Sequence, residues 1–192
     1  IPMSGQVYGG YDTVWSNDWD LPIIFTGDVE FRSNDLTIEP GIAVEMGSFK
    51  LQVGNRAYNH NYPATLVAND VVFNGTDDSR LALAYGQSSY LGDCTLNGVT
   101  IFIYRIEHVS AYNTGTLERC RVVVPNREYG IEIRDTIVDT WSVIDCEVEG
   151  ATEAGIYVFG HNYQTSVEIE GCSITCDSGT GLIVRNASCV VD

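Results

Sequence analysis

Four cysteines, Cys94, Cys120, Cys146 and Cys172, follow one another at intervals of 26 residues. The residues around them keep the same step. Three positions before each cysteine stand Leu91, Leu117, Val143 and Ile169, and two positions after stand Leu96, Val122, Val148 and Ile174. A further set follows some ten residues later as Ile131/Ile133, Ile156/Val158 and Leu182/Val184, each pair opened by Gly130, Gly155 or Gly181. Within each set apolar and polar residues alternate, the two-residue period of a strand with one buried face. A unit of two or three such strands cannot bury its apolar side alone, so it has to stack on its neighbours. Helical repeats would show apolar residues at every third and fourth position in long runs rich in Ala, Leu and Glu. Those runs are missing. The pattern predicts an all-β chain: a single-stranded right-handed parallel β-helix of roughly six to seven coils. Each coil advances by about 4.8 Å, so residues one period apart stand above one another and the four cysteines form an internal ladder.

Upstream the period is looser, but the alternation persists in Thr26 to Phe31, in Leu36 to Met46 around Pro40-Gly41, and in Leu51/Val53, Leu66/Ala68 and Val71/Phe73. The run Thr26-Gly27-Asp28-Val29, a short spacer and Leu36-Thr37-Ile38-Glu39-Pro40-Gly41 resembles the opening module of the right-handed parallel β-helix repeat proteins of bacterial and archaeal surfaces. That resemblance implies the same fold over most of the chain. It does not single out a function, because the fold carries lyases, hydrolases, adhesins and plain stalks. Residues 1–23 stand outside the period and carry Tyr8, Tyr11, Trp15 and Trp19. This suggests an N-terminal cap followed by a β-helix over 24–192. Residues 55–64 and 74–80 read as longer loops between coils.

Composition narrows the partners. The chain has 192 residues, 26 acids and 10 bases, for a formal charge of −16, and Lys50 is its single lysine. A phosphate-binding face needs clustered Lys and Arg, so nucleic acid and anionic membrane surfaces are not expected partners. No apolar run approaches the ~20 residues of a membrane helix, so membrane insertion is not expected. The first residue is Ile1 and no basic-then-apolar leader is visible. That suggests either a removed leader or a piece of a longer chain. The acidic surface, the abundance of Tyr, Asn and Gly, and the sequons at Asn74 and Asn186 point to an extracellular or cell-surface location.

Six cysteines in an exported chain would ordinarily announce disulfides. Here residues in register on neighbouring parallel strands point the same way, so Cys94, Cys120, Cys146 and Cys172 read as small buried hydrophobes with free thiols. The redox states of Cys176 and Cys189 stay open. Cys172 and Cys176 do not make a metal knuckle, because Cys176 takes a column otherwise held by Gly98, Val124 and Gly150. His60, His108 and His161 are isolated from any cysteine pair, which leaves no zinc-ligand spacing. Asp12, Asn17, Asp18 and Asp20 fit no calcium-loop spacing and read as solvated acids. No cofactor or metal is expected.

Outward positions set the functional choices. Asp93, Arg119, Asp145 and Gly171 form the column before the cysteines, and Thr95, Arg121, Glu147 and Ser173 the column after. Each arginine lies one coil from an acid, which suggests salt-bridge ladders rather than catalytic carboxylates. Another column holds Arg134, Phe159 and Arg185 beside Glu132, Tyr157 and Ile183. Its rings and guanidinium groups suggest a recognition surface formed by Arg134, Tyr157, Phe159 and Arg185 for a sugar or a protein. The apolar end at Leu182, Val184, Val190 and Val191 suggests contact with another copy of the chain or with the rest of a longer surface protein. The expected function is a non-catalytic structural or adhesive surface protein, self-assembling end to end or part of a larger one. The alternative is a carbohydrate-active lyase or hydrolase, or a fragment of one.

Overall fold

The computed structural model describes residues 1–8, 12–18, 20–57, 60–76, 78–84, 88–104, 113–134, 140–160 and 165–192. All its regular elements are strands, wound as a parallel β-solenoid whose coils each place one strand on each of three faces. The first stack contains Ala43–Gly47, Val72–Gly75, Thr95–Asn97, Arg121–Val123, Glu147–Ala151 and Ser173–Cys176. The second contains Lys50–Val53, Arg80–Leu83, Thr100–Tyr104, Tyr129–Arg134, Ala154–Phe159 and Thr180–Arg185. The third runs from Leu36–Ile38 through Leu66–Asn69, Ser89–Gly92, Gly115–Glu118, Thr140–Ile144 and Ser166–Glu170 to Ser188–Val191. Six coils therefore carry all three strands. Before them, the long strand Ile23–Arg32 serves two faces, pairing at Ile23 and Ile24 with the first stack and at Val29 to Phe31 with the second.

The segment expected to be a cap belongs to the same ladder. Pro2–Tyr8 pairs in parallel with Ile23–Arg32, and Thr13–Trp15 pairs in parallel with Leu36–Ile38. Trp15 is buried edge-on against Phe25 and Phe31, closing the interior at this end with its own coil. Tyr11 and Trp19 lie outside the described residues. Asn17 binds back to the next coil through Glu39 and the Pro40 carbonyl. Of the two expected loops, the first is a short antiparallel hairpin pairing Asn55 with Tyr62 and Ala57 with His60. The second begins as strand, because Asn74 and Gly75 still pair with the coil before them.

The interior is built from the columns visible in the sequence. Leu91, Leu117 and Val143 are fully buried, as are Leu96, Val122 and Val148 and the pairs Ile131/Ile133 and Ile156/Val158. The columns flanking the cysteines pair at the 26-residue step, with Leu91 opposite Leu117 and Leu117 opposite Val143, whereas Ile131 pairs with Ile156 at a step of 25. The tight corner between the third and first stacks carries the cysteines. Each is preceded by a residue with positive φ: 51° at Asp93, Arg119 and Asp145, and 63° at Gly171. That left-handed residue turns the chain, so the column Asp93, Arg119, Asp145 and Gly171 is a row of turn residues and not a strand position.

Two other corners vary in length while the coil as a whole keeps its period. Ile101 follows Leu96 by five residues, whereas Ile131 follows Val122 by nine. The extra residues form the overhanging corner Pro125 to Glu128, and the short corner below leaves a recess beneath it.

Candidate functional site

Along the second stack the outward residues of adjoining coils form rows. Phe102 and Tyr104 make one row, Glu132 and Arg134 the next, Tyr157 and Phe159 the third, and Ile183 and Arg185 the last, each in register with the one before. A charged row is thus held between two aromatic rows. Phe102 and Tyr104 stack on each other at 4.6 Å, and Tyr157 stacks on Tyr129 at 4.6 Å with Phe159 parallel at 6.5 Å. The guanidinium of Arg80 lies 5.6 Å from the Phe102 ring centre, and those of Arg134 and Arg185 lie 5.6 and 6.0 Å from Tyr157. These are cation–π distances.

Arg134, Tyr157, Phe159 and Arg185 thus stand together on this face, in an arrangement that differs from the sequence expectation in two respects. The ring between the two guanidinium groups is Tyr157 and not Phe159. Moreover Tyr157 is not an exposed platform: only 7% of it meets solvent, because Tyr129, Phe159, Arg134 and Arg185 cover it.

Below this cluster the recess forms a cavity of about 500 Å³ lined by Arg80, Thr100, Phe102, Asn126, Arg127, Glu128, Tyr129, Glu132 and Arg134. Its roof is positioned by Arg127, whose Nη2 donates to the carbonyl of Ser79 at 2.6 Å and so ties the overhanging corner to the corresponding corner two coils back. Thr100 Oγ1 donates to the Tyr129 carbonyl at 3.1 Å across the same gap. At the floor stands Glu132, 5% exposed although it points outward from the sheet. Its Oε1 forms an ion pair with Arg134 Nε. Burial raises its pKa above the usual carboxylate range, against the pull of Arg134 and Arg80. Burial and a hydrogen bond to Glu153 push Tyr129 up to about 12, so its phenol keeps its proton at neutral pH.

Charge is sorted by face. From Lys50 onward the second-stack strands carry Lys50, Arg80, Arg134 and Arg185 against Glu132 alone, whereas the strands of the other two stacks carry five acids and only Arg121. Arg80 and Arg185 make no ion pair among the described residues. The period of 26 could not reveal Arg80, Phe102 or Thr100, because the corner preceding Thr100–Tyr104 is short and displaces that strand from the cysteine count. Glu132 was visible only as a neighbour of the arginine column; its burial depends on the overhanging corner.

The remaining expected sites fall elsewhere. All six cysteines are free; Cys94, Cys120 and Cys146 are buried, while Cys172, Cys176 and Cys189 are half-buried in the last coil. Each ladder thiol contacts two carbonyls, such as Leu91 and Glu118 for Cys120 at 3.4 and 3.6 Å. Arg119 binds Asp93 through two hydrogen bonds of 2.8 Å and also pairs with Glu118, while Arg121 reaches Glu147 and Glu149 at 3.0 Å. The Arg119 side chain thus turns back to Asp93 and not onward to Asp145. At the last coil, Leu182, Val184 and Val191 continue interior columns. Val190 does not. It is in register with Glu168, stands outward and is 54% exposed, so it belongs to the third face rather than to the end surface.

Of the two sequons, Asn74 is tied into an amide ladder, donating to Glu45 at 2.8 Å and accepting from Asn97 at 2.9 Å, whereas Asn186 is exposed on a left-handed turn. His108 and His161 lie outside the described residues. A scan against family models, a search of curated proteins and a search of solved structures each found no match to this chain.

Proposed function

We propose that the chain is a non-catalytic structural or adhesive β-solenoid of the extracellular or cell-surface kind, and that its second face is the recognising one. The observation that carries this reading is the sorting of charge. On an acidic chain, stacked rings and guanidinium groups without an ion pair among the described residues gather on one face beside a cavity. Ligand recognition requires such a grouping and fold stability does not. The exposed Asn186 sequon and the acidic surface support exposure to the outside medium. The opening module of residues 24–46 supports kinship with the surface β-helix proteins it resembles. Half-exposed interior residues at the last coil suit stacking against another copy or the remainder of a longer surface protein.

The test is binding of the folded chain to a panel of neutral and acidic polysaccharides, followed by the same panel with Arg185→Gln. Retention that weakens in the variant supports the reading, and no retention on any member overturns the adhesive part of it.

Catalysis on carbohydrate is the second reading. One observation favours it: Glu132 is a buried carboxyl in a cavity with its pKa raised, the condition of a general acid. Against it, Glu132 is itself ion-paired with Arg134, and the carboxylates Asp93, Glu147 and Glu149 are engaged by Arg119 and Arg121 away from the cavity; Glu128 is the one other carboxylate lining it among the described residues. New reducing ends or unsaturated sugars that vanish with Glu132→Gln would establish the enzyme.

A further inference from the structure

Resting on that recognition reading, we propose that the cavity beneath the Pro125 to Glu128 corner binds one carboxylate-bearing sugar unit of an acidic polysaccharide, through Arg80, Arg134, Phe102 and Glu132. The cavity, at about 500 Å³, is of the size that holds a small molecule. Its lining is mostly polar, as a hydroxyl-rich ring needs. Glu132, Glu128 and Asn126 offer polar atoms to the hydroxyls of a sugar, while Phe102 and Tyr129, stacked on Tyr104 and Tyr157, supply the smaller apolar part.

The charge of the ligand follows from the charges already satisfied. The lining holds three guanidinium groups, Arg80, Arg127 and Arg134, against two carboxylates, Glu128 and Glu132; Arg127 is held by the Ser79 carbonyl, and Arg134 is paired with Glu132. Arg80 remains as a cation whose guanidinium lies over Phe102 without an ion pair among the described residues. One negative charge neutralises the site. A carboxylate supplies one and matches the planar fork of a guanidinium, whereas a phosphate ester carries about two.

Glu132 completes the argument. Its side chain is only 7% exposed and its Oε1 is paired with Arg134 Nε, so the carboxylate is held in place at the cavity floor. A sugar hydroxyl entering the cavity would donate to this fixed carboxylate. Elsewhere the chain is strongly acidic and repels an anionic polymer, so the bound unit is steered to this one face. Arg185 lies three second-stack strands above Phe102. At one inter-strand spacing per coil, it is placed to meet a second unit of the same polymer.

The experiment is titration calorimetry on the full chain at low salt with three probes: a galacturonate oligomer, the same oligomer with its carboxyls reduced to alcohols, and a sulfated neutral glycan. The acidic oligomer is expected to bind about tenfold more tightly than its reduced form, and to lose about tenfold with Arg80→Gln. Arg121→Gln, on another face, is expected to change nothing. Circular dichroism confirms that both variants stay folded. Equal binding of the acidic and reduced oligomers overturns the carboxylate assignment while leaving recognition by this face standing. So does preference for the sulfated glycan. Acidic-oligomer binding that survives Arg80→Gln together with Glu132→Gln overturns the cavity as the site. Absence of binding by all three probes overturns the proposal, and the polysaccharide panel then decides whether the recognition reading falls with it.

Discussion

The cysteines show how one side chain satisfies a demand repeated at every coil. The corner needs a residue small enough for a tight turn, apolar enough for the interior, and tolerant of two nearby carbonyl oxygens, and the thiol is all three. Hydrogen bonding to Cys120, reinforced by burial, pushes Cys94 and Cys146 up, so these rungs stay protonated and unreactive. Cys172 differs because it is half-buried and no further coil among the described residues lies over it. A hydrogen bond from Cys146 lowers it to about 7; Cys120 is lowered further by its bonds to Cys146 and Cys94 but is buried, so the half-buried Cys172 is the most reactive of the ladder thiols. Alkylation followed by peptide mass mapping should label Cys172 before the other rungs, with a rate that climbs as pH rises through about 7, and should leave Cys94 and Cys146 unmodified until unfolding. Equal labelling at all four positions in the folded chain would mean that the register is wrong. Cys120→Val should be tolerated at a cost under about 1.5 kcal/mol in denaturant melts, since a volume-conserving swap keeps the column filled. The left-handed residue before each cysteine was not legible in the sequence. Asp and Gly suit that conformation, but Arg119 adopts it only because its coil is pinned between two others.

Strands and corners divide the work between stability and recognition. Strand columns were legible because burial imposes strict alternation, whereas corners were not, because only their summed length is fixed by the period. Gly130, at the start of the strand that leaves this corner, shows how tightly the two meet: a Cβ there would run into Val148 Cγ1 and come within 3.0 Å of the Gly155 carbonyl. Gly130→Ala should therefore cost about 1–3 kcal/mol in stability, and less when Val148 is already Ala, which a double-mutant cycle measures. The same corner buries Glu132, with a consequence whose sign is fixed. A carboxyl raised in the folded state adds stability below its unfolded pKa, and that contribution is lost as pH rises through the folded value. Glu132→Gln removes the loss, so its melting temperature should exceed that of the parent at pH 7, and the difference should shrink toward zero as the solution is acidified to the ordinary carboxylate range. A variant less stable than its parent at pH 7 would mean that the pair with Arg134 outweighs the burial cost.

A solenoid is stabilised by contacts between successive coils, so its two ends need not be equivalent. At the first coil Trp15 fills the interior, while at the last nothing among the described residues lies over Ile174, Leu182, Val184, Cys189 and Val191. The inward residues one coil earlier, Val148, Ile156, Val158, Val167 and Ile169, are all buried. The sequence made this surface visible as a strand-like apolar run but assigned Val190 to it wrongly, since alternation alone does not say which parity faces inward once the repeat has shortened. Pairing with Glu168 decides that point. Local opening is easiest where apolar contacts are fewest, so amides from Ser173 to Val191 should exchange faster than those of the central coils. If the chain stacks end to end, that exchange slows as concentration rises, and light scattering shows growth that added salt promotes by screening the charge of −16. Register then separates two substitutions. Val184→Glu places a carboxylate in the interior column and should abolish growth, whereas Val190→Glu places one on the third face above Glu168 and should leave growth nearly unchanged. Loss with Val190→Glu alone would move the contact from the end of the solenoid to its side, and a chain that stays monomeric at every concentration and salt level would rule out assembly through this coil.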